Sequence, residues 1–206
     1  PYLGFFKDGG EVLDLGCGRG EALELLKKNG LAARGIDISD EMVARCQEKG
    51  LQVEKGDLIG ALESTPEGSL GGIVSFHVIE HLPREVLERM IRLAWQALAP
   101  GGVLVLETPS PLSVVVGARN FWLDPTHLRP VHGESLRLSF ELAGFDEVER
   151  IDRQPFEAAQ RLPEISVAEM PEDLRGLADE INRLRDQLDG LLYGFQDYGM
   201  VGRKPS

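Results

Sequence analysis

The chain has 206 residues, 42% of them hydrophobic and 27% charged, a balance that suits one globular core and is short for two. A net charge of −12 argues against general nucleic-acid binding, which needs a basic surface. No apolar run reaches the roughly 20 residues of a membrane span, and no basic region precedes the opening Pro-Tyr-Leu-Gly-Phe-Phe, so neither a span nor a secretory leader is expected.

Residues 1–10 read as a lead-in whose aromatics, Tyr2, Phe5 and Phe6, cover the first strand. Val12 to Leu15 is that strand, and it runs into a turn with Gly16, Gly18 and Gly20. A helix follows from Glu21, with Ala22, Leu23, Leu25 and Leu26 as its apolar positions and Gly30 as its stop. Arg34 to Asp37 is a second short strand, and Ser39 caps a helix over Glu41–Lys49 that Gly50 closes. Leu51 to Asp57 reads as a third strand, 60–68 as a polar loop, and Gly72 to His77 as a fourth strand buried on both faces. Pro83 opens the next helix, whose apolar face is Val86, Leu87, Met90, Ile91, Ala94 and Leu98; Val103–Thr108 is the fifth strand. This βαβ alternation predicts a mostly parallel sheet covered on both faces, with ligands outside the strand carboxyl ends, where Asp14, Asp37, Asp57, His77 and Thr108 fall.

Residues 109–132 are too long for a connector and rich in aromatics, prolines and imidazoles, so they read as a functional loop. A helix over Glu134–Ala143 and a strand over Phe145–Arg153 follow. Leu174, Leu177, Ile181, Leu184, Leu188 and Leu191 then recur at alternating three and four, a narrow stripe on a helix from Pro171 to Leu192. The stripe is expected to pack on its own domain or, as the alternative, to pair two copies into a homodimer. Gln196 to Arg203 reads as a closing strand. Cys17 and Cys46 are the only cysteines, which suits a reducing, cytoplasmic setting better than a disulfide framework.

The glycine turn narrows the ligand. A dinucleotide fingerprint, G-x-G-x-x-G, has its third glycine where Glu21 stands, and a carboxylate there repels a pyrophosphate. A cationic ligand without phosphate fits better. Asp37, seventeen residues after Gly20, is spaced to accept hydrogen bonds from ribose hydroxyls.

These residues resemble class I S-adenosylmethionine-dependent methyltransferases. Asp14-Leu-Gly16-Cys17-Gly18-Arg-Gly20 resembles their first motif, Gly35-Ile-Asp37-Ile38-Ser the ribose-binding strand end, Gly56-Asp57-Leu58 the adenine-contacting position, and Val78-Ile-Glu80-His81-Leu the segment after strand four in small-molecule O-methyltransferases. Leu98-Ala-Pro-Gly101-Gly102 resembles the turn before strand five. The block Phe121-Trp122-Leu-Asp124-Pro-Thr-His127-Leu-Arg129-Pro, with Gln196-Asp-Tyr198, is similar to methyltransferases of bacterial polysaccharide and O-antigen biosynthesis. The resemblance implies one Rossmann-like α/β methyltransferase domain over 1–206, with a mostly parallel seven-stranded sheet and an antiparallel last strand. A substrate loop at 109–132 and a helical insert at 155–195 lie within it. It further implies S-adenosylmethionine as cofactor, bound by Asp14, Gly16, Cys17, Gly18, Gly20, Asp37, Ile38, Met42, Asp57, Leu58 and His77.

The acceptor is expected to be a glycan or small molecule, with a sugar hydroxyl or sugar phosphate of polysaccharide biosynthesis as the reacting group; the alternatives are a small-molecule O-methyltransferase of another pathway, quinone-like or metal-assisted 2′-O, and a non-catalytic assembly module that keeps the fold. Phe121 and Trp122 would offer flat faces to a sugar, and Arg129, with Arg119 and Arg137, positive charge. An alcohol must lose its proton, which a positioned histidine can take; His127 and His81 are the candidate bases, with Asp124 orienting one of them. A metal reading stands beside this. His77-x-x-Glu80-His81 with a later His is similar to the Glu-x-x-Glu-His…His set that binds a divalent ion in small-RNA 2′-O-methyltransferases, from which His77 departs at the first position.

Overall fold

The computed structural model describes residues 2–6, 10–168 and 170–206. Seven strands form one sheet in the order β3-β2-β1-β4-β5-β7-β6. β1 (Glu11–Leu15), β2 (Ala33–Asp37), β3 (Val53–Lys55), β4 (Leu70–Phe76) and β5 (Leu98–Pro109) are parallel neighbours; β7 (Phe195–Arg203) runs antiparallel to both β5 and β6 (Asp146–Pro155). The helices are α1 (Glu21–Lys28), α2 (Asp40–Glu48), α3 (Leu58–Ser64), α4 (Arg84–Ala97), α5 (Val114–Ala118), α6 (Gly133–Ala143) and α7 (Glu172–Leu192). This is the Rossmann-like sheet expected, with the helical insert before β7.

Strand alternation sorts the core into two layers, since successive side chains point to opposite faces. Leu13, Leu15, Ile73, Leu104, Leu106 and Met200 pack under α3, α4 and α6 with Leu87, Met90, Ile91, Leu136 and Phe140. Val12, Val74, Val103, Val105 and Val201 line the other face, where Leu26 and the lead-in aromatics Tyr2 and Phe6 cover them. Both faces of β1, β4 and β5 are thus closed, which is why these strands read as unbroken apolar runs.

Three expectations need correction. Residues 58–64 are a helix, not a loop: the Asp57 carboxylate caps it by accepting from the Ile59 and Gly60 amides, and Leu62 anchors it in the core. The 109–132 segment is partly ordered as α5 and a 3-10 turn over Asn120–Leu123, with Ser113 capping α5. The leucine stripe of α7 does not pack on its own domain. An extended strap, residues 161–168, lies along the adjoining face instead. Asp189 accepts from the Leu162 amide at 2.9 Å, and Asn182 exchanges two 2.9 Å bonds with Ile165. The last turn is pinned where Ser113 Oγ donates to the Leu192 carbonyl. Each side chain of the stripe remains 42–61% exposed.

Candidate active site

Every candidate residue sits at the carboxyl edge of the sheet or in the segments that cross it. The β1–α1 turn holds Gly16, Gly18 and Gly20 at φ of 76°, 53° and 84°, a region that L side chains rarely adopt. A Cβ on Gly16 would meet Val78 at 2.5 Å, so this glycine is required by packing. A Cβ on Gly18 would meet nothing, so the space above it is open. Asp37 fastens the turn: Oδ2 accepts from the Gly18 amide and Oδ1 from the Ser39 amide, each at 2.8 Å. Each oxygen keeps a lone pair for a further donor. Ile38, beside it, is exposed, and Ser39 caps α2 by accepting from the Met42 amide. Asp57 uses Oδ1 for the α3 cap, and Leu58 is half-buried next to it.

Asp14 is the unusual group. Its side chain is 1% exposed, and neither carboxylate oxygen has a hydrogen-bond partner among the described residues. Burial, with the nearby charges of Asp37 and Glu21, pushes its pKa up to about 7. Asp14 and Asp37, with Glu21 paired to Arg19 at 2.8 Å, make the open glycine turn an acidic cradle, in which Asp14 is the buried and unpaired group. Cys17 and Cys46 are buried free thiols beside it, and burial pushes both above the ordinary thiol range, so neither is a thiolate nucleophile.

A second cluster surrounds the end of β4. His77 takes a left-handed backbone, φ 54°, at the strand end, and its amide donates to the Glu107 carbonyl at 2.9 Å. Its ring lies 3.4 Å from Glu80 Oε1 and 3.8 Å from Glu107 Oε1. The Glu80 carboxylate is the main cause holding its pKa above the usual imidazole value. Glu80 is fully buried: Oε2 accepts from the Thr108 hydroxyl at 2.9 Å, while Oε1 lacks an aligned donor.

The two candidate bases meet here, their rings edge to face at 4.7 Å. His127 Nδ1 lies 2.6 Å from the Phe121 carbonyl, which can only accept, so Nδ1 carries the proton and Nε2 the lone pair. That Nε2 stands 3.9 Å from both Glu80 Oε1 and Asp124 Oδ2. His81 Nδ1 lies 3.0 Å from the Thr126 hydroxyl, which gives its own proton to Asp124 Oδ1 at 2.6 Å; the His81 lone pair is therefore also on Nε2. Asp124 thus reaches His81 through Thr126 and bonds neither imidazole directly. Its hydrogen bonds from Thr126 hold it below the usual carboxylate range.

Phe121 is 2% exposed with its ring against His127 at 4.4 Å, so it supports the imidazole and offers no face to a sugar, whereas Trp122 is 56% exposed. The arginines do not gather. Arg137 is turned to the Val148 carbonyl, and Arg129 lines a groove between α4 and α6. Sequence reasoning missed Tyr2, Glu107 and Asp197. Tyr2 Oη donates to Glu107 Oε2 at 2.5 Å, and burial pushes the pKa of both Tyr2 and Asp197 up. A lone carboxylate inside the closing strand was the available signal for Asp197.

A family model described as "Methyltransferase domain" matches residues 1–150. The chain belongs to the class I S-adenosylmethionine-dependent methyltransferases. A probable S-adenosylmethionine-dependent methyltransferase of Mycolicibacterium smegmatis is 31% identical over 140 residues, 67% of this chain and 52% of that protein. Trans-aconitate 2-methyltransferase of Rhizobium meliloti is 35% identical over 125 residues, 58% of this chain and 42% of that protein. The crystal structure of an S-adenosylmethionine-dependent methyltransferase from Archaeoglobus fulgidus superposes with a TM-score of 0.90 at 35% identity, covering 98% of this chain and 90% of that one. The chain spans about half the length of the curated relatives it matches. The methyltransferase's β1–α1 cradle is compatible with the family cofactor: a Cβ on Gly18 would meet nothing, Asp37 keeps lone pairs that could accept from a ribose, and the buried Asp14 carboxylate has no partner among the described residues.

Among the described residues, two groups could hold a divalent ion. Glu80, His81 and His127, and separately His77, Glu107 and Asp197, each offer three ligand atoms within 4.8 Å of one another.

Proposed function

We propose that this chain transfers a methyl group to an oxygen of a small acceptor bound between residues 120–132 and the end of β4, with His127 as general base. S-adenosylmethionine supplies the electrophilic methyl. The observation that carries the reading is the fixed tautomer of His127: Nε2 presents a lone pair to a gap bounded by two carboxylates, each 3.9 Å away. Acceptor groups facing one another across such a gap leave room for a hydroxyl whose proton Nε2 takes, and the imidazolium so formed is stabilised by Glu80 and Asp124. Thr126 and Asp124 position His81 alongside. The glycan acceptor read from the sequence is replaced by a small molecule. Phe121 is withdrawn from the surface, and the similar proteins with named substrates include trans-aconitate 2-methyltransferase and, at 30% identity over 125 residues, the ubiquinone biosynthesis O-methyltransferase of Psychrobacter arcticus. A reducing cytoplasm suits the two free thiols and completes the reading.

The test is turnover of a panel of hydroxy acids, phenols and sugars. On the accepted compound, His127→Ala lowers kcat by about 10²–10⁴-fold and leaves the cofactor Kd unchanged. Unchanged turnover refutes the base. A metal-assisted route is the second reading, favoured by the unpaired Oε1 of Glu80 between two imidazoles. An ion held by Glu80, His81 and His127 would acidify the hydroxyl. Chelator leaves activity intact under the first reading and abolishes it under the second.

A further inference from the structure

Two exposed apolar features have no partner among the described residues, and one is predominantly acidic, the other predominantly basic. The first is the stripe of α7. Six half-exposed side chains leave roughly 500 Å² of apolar surface on one helix face, at the upper end for a monomer. The helix itself is acidic, with Glu172, Asp173, Asp179, Glu180, Asp186 and Asp189 against Arg175, Arg183 and Arg185. Helical spacing puts Asp173 and Glu180 on the open edge of the stripe, while Ala178 and Arg185 edge its other side next to the strap. The second feature is the groove between α4 and α6, about 440 Å³, floored by Leu87, Val131 and Leu136 and rimmed by the exposed Leu138 and Leu142. Arg84, Arg92 and Arg129 line it in a chain of net charge −12. Arg84 pairs with Glu88, but Arg92 and Arg129 make no ion pair or side-chain hydrogen bond among the described residues.

We propose that α7 of a second copy of this chain docks its leucine stripe into the α4–α6 groove, and that the exchange is reciprocal, closing a two-fold dimer. The stripe supplies anchors at helical spacing for a groove with an apolar floor. Asp173 on the open edge and Arg92 and Arg129 on the rim have no ion-pair partner among the described residues, so edge and rim match in sign, while Glu180 is held by Arg183 and Arg84 by Glu88 on their own helices. Two such contacts, each burying stripe and groove together, exceed the roughly 1,000 Å² expected of a specific interface. Pairing α7 with α7 would gain less: the open edges carry acid on both helices, and Arg185 is held under the strap by the Leu162 carbonyl and the carboxylates of Glu164 and Asp186.

Sedimentation equilibrium on the whole chain, from about 1 to about 100 µM, tests this. The expected result is a concentration-dependent dimer that Ile181→Asp abolishes. Arg92→Glu with Arg129→Glu should weaken it at least tenfold, and adding Asp173→Arg and Glu180→Arg to that pair should restore it. All these positions are at the surface; Leu184→Ser is the second stripe variant should Ile181→Asp lose its far-ultraviolet helical signal. A monomer at every concentration overturns the proposal, as does a dimer that survives the stripe variants. A dimer lost with Ile181→Asp but indifferent to the arginine reversals overturns it in favour of α7 pairing with α7.

Discussion

Asp14 makes a quantitative link between pH, folding and cofactor binding. Its carboxyl is buried without a donor, and its pKa stands at about 7 against an ordinary 3.8. Between those values the folded chain keeps a proton that the unfolded chain has lost. The folded state then binds more protons, so stability falls as pH rises from about 4 to about 7 and levels off above that. Three units at 1.36 kcal/mol each make the loss about 4 kcal/mol. Asp14→Asn is neutral at every pH and removes it. Urea unfolding of both chains at pH 5, 6, 7 and 8, without cofactor, should therefore show the wild type losing ground to the variant across that range. The cofactor reverses the sign. A sulfonium or ammonium placed beside Asp14 would favour the ionised carboxylate, so cofactor affinity should rise by up to tenfold per pH unit below 7 and binding should release a proton. Calorimetry in two buffers of different ionisation enthalpy reads that proton directly. In Asp14→Asn, affinity falls and the release disappears. A stability gap that does not change with pH, together with no proton release in the wild type, would refute the assignment of Asp14 as the unpaired cradle carboxylate.

The two turn glycines should separate folding from binding. Gly16→Ala collides with Val78 and costs about 1–3 kcal/mol in thermal melts, whereas Gly18→Ala, with open space around it, costs about 1 kcal/mol but loses cofactor affinity in calorimetry. Equal melting losses for both would contradict the open cradle. Asp37→Ala removes an acceptor for the ligand and for the Gly18 and Ser39 amides, so cofactor binding should weaken by about 1.5–3 kcal/mol; unchanged affinity moves the ribose elsewhere. Tyr2→Phe leaves Glu107 Oε2 without its shortest donor and should destabilise the fold by about 1–3 kcal/mol in urea, with no effect expected if Tyr2 only fills space.

Much of this architecture is local, and local chemistry is written along the chain. The apolar runs of β1, β4 and β5 are unbroken because both faces are covered, and the glycines of the β1–α1 turn stand where the backbone needs positive φ. Ser39 caps α2, and Gly144 at φ 100° ends α6, each by chemistry within a few residues. Helix α3 escaped notice because it is only about two turns long, with a glycine inside it. Its stability comes from the Asp57 cap and Leu62 in the shared core, not from propensity.

Other features depend on which distant segments meet. The stripe of α7 has the period of a packed face, yet the strap took the neighbouring face through Asn182 and Asp189, and periodicity cannot say which of two faces finds a partner. Phe121 read as a surface platform; the 3-10 turn over Asn120–Leu123 folds its ring beneath His127. Asp197 comes opposite Pro109 and Gly199 opposite Glu107 only because β7 pairs antiparallel with β5 in one register, which places Asp197 near His77. Residue type along the chain determined which groups could do chemistry. Strand register and backbone hydrogen bonds between segments far apart in sequence decided which groups face each other, and in which tautomer.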